Sequence, residues 1–148
     1  MKTMVMPNEV LLPAVGDIVA EGGSVTLKTK GMSMMPFIKG DRDCVVLVKP
    51  SGLKVGDIVL AKVQGGAFVL HRIFSIEDDI LILMGDGNLK GKEKCMMTDV
   101  LALAVTIVKE NGKEVDCTSR MHMCLARVWR VLLPFRRYLL AIYRRIFK

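Results

Sequence analysis

Val55-Gly56-Asp57-Ile58-Val59-Leu60-Ala61-Lys62-Val63-Gln64-Gly65-Gly66-Ala67-Phe68-Val69-Leu70-His71-Arg72-Ile73 reads as two strands and the turn that joins them. Each run is short, rich in Val and Ile, and lacks helical spacing, the pattern of a strand with a buried face. Gly65-Gly66 between them is a hairpin signal, because glycine reaches positive φ without steric penalty. The same pattern extends in both directions. Residues 24–31 (SVTLKTKG), 44–49 (CVVLVK), 79–84 (DILILM) and 99–108 (DVLALAVTIV) are apolar runs separated by Gly, Pro, Asp and Lys. A turn is expected at Glu110-Asn111-Gly112. The middle of the chain is therefore predicted to be mainly β.

The flanks differ. Val10, Leu11, Ala14, Val15, Ile18 and Val19 recur at helical spacing until Gly22-Gly23, which predicts a short amphipathic helix over about residues 8–21. Helical periodicity returns from about Met121. The organisation expected is an N-terminal helical segment (1–23), a β domain (24–117) and a basic amphipathic helix (118–148). At 148 residues, 51% of them apolar, the chain suits one compact domain with short appendages.

Charge is placed unevenly. The net charge is +7, yet residues 1–116 hold 14 Lys/Arg against 15 Asp/Glu, while 117–148 hold eight basic residues and no acidic one. An anionic surface is the partner such a tail suits. The N-terminal apolar stretch is broken by Pro7, Asn8, Glu9, Pro13 and Asp17, so neither a signal peptide nor a spanning helix is expected there. A cytoplasmic protein with peripheral membrane association is the resulting expectation. Cys44, Cys95, Cys117 and Cys124 form no C-x-x-C pair and point to reduced thiols rather than to a zinc site or a disulfide framework.

The chemistry-bearing stretch is Gly31-Met32-Ser33-Met34-Met35-Pro36, followed by Gly40-Asp41. A serine just after a strand, between glycine and proline, can be held exposed on a restrained backbone. By itself that is ordinary turn chemistry. The series G-x-S-M-x-P-x-x-x-G-D, however, resembles the nucleophile box of the signal peptidase I and LexA-type serine peptidases. Three further resemblances follow in the family's order: Val55-Gly56-Asp57-Ile58-Val59 is similar to its V-G-D-I-V strand, Val69-Leu70-His71-Arg72-Ile73 to the segment carrying its general base, and Gly85-Asp86-Gly87-Asn88 to its G-D-x-N box. The match covers residues 31–88 and extends more weakly to about 108.

This resemblance implies peptide-bond hydrolysis on a compact β scaffold, without metal or organic cofactor, with Ser33 as nucleophile and a peptide or protein substrate. The base position holds His71 rather than lysine, the pattern of the archaeal and endoplasmic-reticulum signal peptidases. Imidazole titrates near neutral pH without the desolvation a lysine needs. Asp86 is the expected third member, orienting the imidazole, although G-D-G-N is also a good turn. The His-type members carry another aspartate six residues further on. Lys92 stands there, and Asp99 does not match by spacing. That departure keeps an alternative open: a non-catalytic or self-processing regulatory module on the same scaffold. A LexA-like repressor would need a DNA-binding domain ahead of Ser33, and about thirty residues are too few for one. Asp41, Asp43 and Asp57 read as turn-closing carboxylates, and His122 is assigned no role.

In the tail, a continuous helix puts Leu125, Val128, Trp129, Leu132, Leu139, Leu140, Tyr143, Ile146 and Phe147 on one face. Arg127, Arg130, Arg137, Arg144, Arg145 and Lys148 fall on the other. Arg136 lands on the apolar side, and Pro134 is expected to kink the helix and rephase it. The pattern suits a helix lying in an anionic membrane interface, with Trp129 and Tyr143 at headgroup depth. Nucleic acid is disfavoured, since the aromatic platforms and motifs of RNA-binding modules are missing.

Overall fold

Strands β3 (Ile58–Lys62) and β4 (Phe68–Glu77) form the hairpin expected from the glycine pair, with Gly65 and Gly66 at φ +94° and +89°. The computed structural model describes residues 8–29, 33–88 and 91–146, with side chains from residue 14 onward within those ranges. It is mainly β. The remaining strands are β1 (Val25–Lys28), β2 (Cys44–Val48), β5 (Ile80–Met84), β6 (Glu93–Met96), β7 (Val100–Val108) and β8 (Glu114–Asp116). They make one curled antiparallel sheet in the order β1-β2-β7-β3-β4-β5-β6, with β8 also on β7.

Both faces of this sheet are packed, which is why its central strands read as unbroken apolar runs. In β3, Ile58 and Leu60 enter one core with Val25, Val45, Leu47 and Ile107. Val59 and Ala61 enter the other with Ile73, Leu81 and Leu83. Each buried Val, Leu or Ile side chain among these contributes roughly 1.5–3 kcal/mol on leaving water. Helix α1 (Asn8–Ala20) closes the first core, with Val15 and Val19 fully buried and Gly16 against Leu101. Val10 and Leu11, also assigned to that helical face, have side chains outside the described residues.

Two strands escape the sequence pattern. β6 is EKCM and β8 is EVD: short, charged, and lying at or beside a sheet edge, they lack the apolar alternation that marks a strand.

The tail is two helices, α2 (Arg120–Val131) and α3 (Arg136–Ile146), separated by a 3-10 turn at Leu133–Phe135 that contains Pro134. Ser119 caps α2 by accepting the His122 amide at 3.1 Å. The single apolar face expected of the tail is divided between two surroundings. His122, Ala126, Arg136 and Leu140 are buried against the rest of the protein, while Leu125, Val128, Val131, Phe135, Tyr138, Ile142 and Ile146 are more than half exposed. Phe147 and Lys148 lie outside the described residues. No described helix is long and apolar enough to cross a membrane.

His122, given no role above, is 3% exposed, edge-on to Phe37 with ring centroids 5.3 Å apart. Arg72 Nη1 lies 3.2 Å from its Nε2. Burial, and then the Arg72 charge, push this imidazole from 6.5 down to about 4. The unfolded chain therefore takes up a proton at higher pH than the folded one. Stability is full above pH 6.5 and is lost as pH falls towards 4, by about 2–3 kcal/mol from this group. Urea unfolding across that window is expected to show the loss, and His122→Gln to flatten it. An unchanged slope in the variant would rule out His122 as the source.

Candidate active site

The sequence-predicted serine is held by its own backbone and by the core beneath it. Met34 and Ile38, one and five residues on, are 5% and 1% exposed, and the Ile38 amide donates to the Met34 carbonyl at 3.0 Å. The Ser33 carbonyl accepts from Gly87 N–H at 2.7 Å, which ties the serine turn to the Gly85-Asp86-Gly87-Asn88 loop. Gly31 and Met32 of the nucleophile box lie outside the described residues.

Gly85 explains how closely these parts approach. A Cβ there would sit 2.3 Å from the Ser33 carbonyl oxygen and 3.1 Å from His71 Cδ2. Real Cβ atoms do not come that near a carbonyl, so only glycine lets the serine backbone and the imidazole converge on one point. The structure thus brings the Ser33 backbone carbonyl and the edge of the His71 ring to Gly85, across 38 residues of sequence. Among the described residues no hydrogen bond joins Ser33 Oγ to the ring. In an unliganded site such contacts commonly tighten only when substrate binds.

His71 is 7% exposed, and its Nδ1 is in contact with Glu93 Oε1. Sheet register produces this pair. Ile73 is opposite Leu83, and Leu83 is opposite Glu93, so all three share a face, as does His71 two residues before Ile73. An ionised carboxylate only accepts, so Nδ1 is the donor in this contact, and in the neutral ring Nε2, next to Cδ2, then carries the lone pair.

Asp86, expected to orient the imidazole, is committed elsewhere. Its carboxylate is held by Arg72, with Nε–Oδ1 at 2.9 Å and Nη2–Oδ2 at 2.8 Å, and both side chains are buried. Neighbouring residues of a strand project to opposite faces, so Arg72 and His71 look away from each other. Asp86 went to the arginine and Glu93 to the histidine. Lys92, where the resemblance calls for an aspartate, lies over the Phe74 ring at 4.1 Å. Asp99 caps a turn, accepting from the Met96 amide at 2.9 Å. The other carboxylates close turns too: Asp57 accepts from the Lys54 amide at 3.0 Å, and Asp43 from the Lys39 amide at 2.8 Å.

Residues from the tail complete the surroundings. Trp129 Nε1 donates to the Asp86 carbonyl at 2.6 Å, and Arg136 Nη1 to the Asn88 carbonyl at 3.1 Å. Both fasten the loop that meets Ser33. Sequence reasoning missed Glu93 because EKCM does not announce a strand. For Arg136 there was a signal, since it falls out of phase on the apolar side of the tail. Cys95 and Cys117 are buried, and burial raises their thiols to about 11 and about 12, so neither is a nucleophile near neutral pH. Compared with known proteins, the chain matches no family model and no curated protein.

Proposed function

We propose that the protein is a serine endopeptidase of the signal-peptidase kind, in which Ser33 attacks, His71 is general base and Glu93, not Asp86, orients it. The observation that carries this reading is the Glu93 carboxylate on His71 Nδ1, on the face where the ring's other edge meets the serine turn at Gly85. Ser33 Oγ adds to the scissile carbonyl while its proton passes to His71 Nε2, and Glu93 stabilises the imidazolium. The imidazolium then protonates the leaving amine as the peptide C–N bond breaks. Water, deprotonated by the same nitrogen, hydrolyses the Ser33 ester and restores the site. The four boxes in family order support the same assignment, including a preference for small residues one and three positions before the cut.

Incubating purified full-length protein with such a peptide tests it, and an uncut peptide counts against the enzyme. Two carboxylate variants separate the roles. Glu93→Gln is expected to lower kcat by roughly 10²-fold or more with unfolding stability unchanged. Asp86→Asn is expected to cost roughly 3 kcal/mol of stability, because it leaves the buried Arg72 charge unmatched. If Asp86→Asn instead affects only kcat while Glu93→Gln is silent, the assignment of the two carboxylates is reversed.

The site is further proposed to work at an anionic membrane surface. The outward residues of α2 and α3 are large and apolar, and exposed arginines flank them with no acidic residue in 117–148. Each arginine near such a surface adds about 1 kcal/mol. Co-sedimentation with anionic vesicles, weakening as salt rises, is the expected result. Val131→Asp with Ile142→Asp should abolish it without loss of fold. Equal binding to neutral vesicles would exclude the electrostatic part.

A further inference from the structure

Between the sheet and the inner side of α2 lies a cavity of about 160 Å³ whose lining includes neither Ser33, His71 and Glu93 nor the exposed apolar residues of α2 and α3. Much of its wall is apolar, from Val55, Ile73, Phe74, Met84 and Met123. The rest is cationic, from Lys54, Arg72, Arg127, Arg130 and Arg136, and Asp86 is the one carboxylate among the lining residues. Arg72 already holds that carboxylate with two short hydrogen bonds. Among the described residues no carboxylate forms an ion pair with Lys54, Arg127, Arg130 or Arg136.

Arg136 makes the imbalance specific. It is 3% exposed, its Nη1 is spent on the Gly85 and Asn88 carbonyls, and its Nε is buried without a hydrogen-bond partner. A guanidinium N–H taken out of water and left unmatched is costly, and native proteins rarely keep one without a ligand or water to fill it. Arg130 donates to the Phe74 carbonyl at 2.7 Å and lies over the Phe74 ring at 3.9 Å, contacts that leave its charge unneutralised. An apolar wall beside guanidinium groups that no carboxylate neutralises suits a molecule with the opposite arrangement.

We infer that this cavity binds an anionic amphiphile, a phosphate or carboxylate head carrying an alkyl chain, with Arg136, Arg127 and Arg130 on the head and Val55, Met84 and Met123 on the first carbons of the chain. A cavity of about 150 Å³ holds a benzene-sized group, so only the head and the chain's beginning fit inside. Arg127 and Arg130 are exposed at the mouth, on the same helix that turns its other side outward, so the remaining chain leaves towards that apolar surface. Because Arg136 and Trp129 hold the Gly85–Asn88 loop against Ser33, occupancy would steady the proposed active site from behind.

The chain has one tryptophan, Trp129, whose ring lies 5.3 Å from the Arg136 guanidinium, and its fluorescence reports on the cavity. Full-length protein is titrated with dodecyl phosphate below its critical micelle concentration, beside dodecyl maltoside, inorganic phosphate and phosphatidic acid vesicles. Saturable binding of monomeric dodecyl phosphate, about tenfold or more tighter than either the neutral detergent or inorganic phosphate, is expected. Arg127→Gln with Arg130→Gln, and separately Val55→Glu at the half-exposed rim, should each weaken it roughly tenfold while far-UV circular dichroism stays unchanged. Parity with dodecyl maltoside would overturn the anionic half of the inference, and parity with inorganic phosphate the apolar half. A response to vesicles but not to monomers would place the interaction on the outer face and refute the cavity. No hydrolysis enters the readout, so the result stands or falls apart from the peptidase proposal.

Discussion

Ser33→Ala and His71→Ala are each expected to reduce peptide cleavage by roughly 10⁴-fold or more, with the double variant losing little beyond either one. The hydroxyl is a weak nucleophile until a base takes its proton, and the base has nothing to activate once the hydroxyl is gone. Removing one therefore removes the work of both. Neither change should disturb the fold. The serine turn is anchored by Met34, Ile38 and the Ser33 carbonyl, and none of these depends on Oγ. His71 is surrounded by strand neighbours that keep their register through backbone bonds. Single-turnover rates on a peptide with small residues one and three positions before the bond make the comparison. Ser33→Ala cutting at the wild-type rate would end the peptidase reading.

Gly85→Ala is expected to lower cleavage by roughly 10²-fold or more although it touches no reacting atom. The added methyl would lie 2.3 Å from the Ser33 carbonyl oxygen, a backbone atom that cannot swing aside as a side-chain tip would. Relief requires the serine turn or the loop to move by about 1 Å, and a misplacement of that size near a nucleophile costs about 10²-fold. The same move lengthens the Gly87 N–H bond to the Ser33 carbonyl, now 2.7 Å. The control is Gly66→Ala at the hairpin tip, where φ is +89° and no atom lies within 4 Å of the new methyl. That variant carries backbone strain of the same residue type, yet it should keep its activity while losing a little stability. Equal kcat losses in both would attribute the Gly85 effect to general destabilisation.

What the sequence determined by itself is local. The hairpin at Gly65-Gly66, the short Val- and Ile-rich runs that become β2, β3, β4, β5 and β7, and the stop after α1 follow from apolar runs bounded by turn residues and from glycine's freedom at positive φ, neither of which needs a distant partner. The nearness of the serine turn to the His71 ring at Gly85 is a backbone approach, and the only hint of it in the sequence was the order of the four boxes, not a physical signal in the residues. The partner of the imidazole was not legible. It depends on three strands sharing one register, Ile73 opposite Leu83 opposite Glu93, and β6 is too short and charged to declare itself. Because side chains alternate across a strand, the same register sends Arg72 to the far face, where it claims Asp86. The tail shows the same division. Its periodicity was readable, but it is apolar on two sides, and only docking on the sheet decides that Ala126, Arg136 and Leu140 turn inward while Val128, Val131 and Ile142 face out. Burial of a charged residue is decided by the carbonyls that wait for it, here those of Gly85 and Asn88, and no run of neighbours in the sequence can supply those.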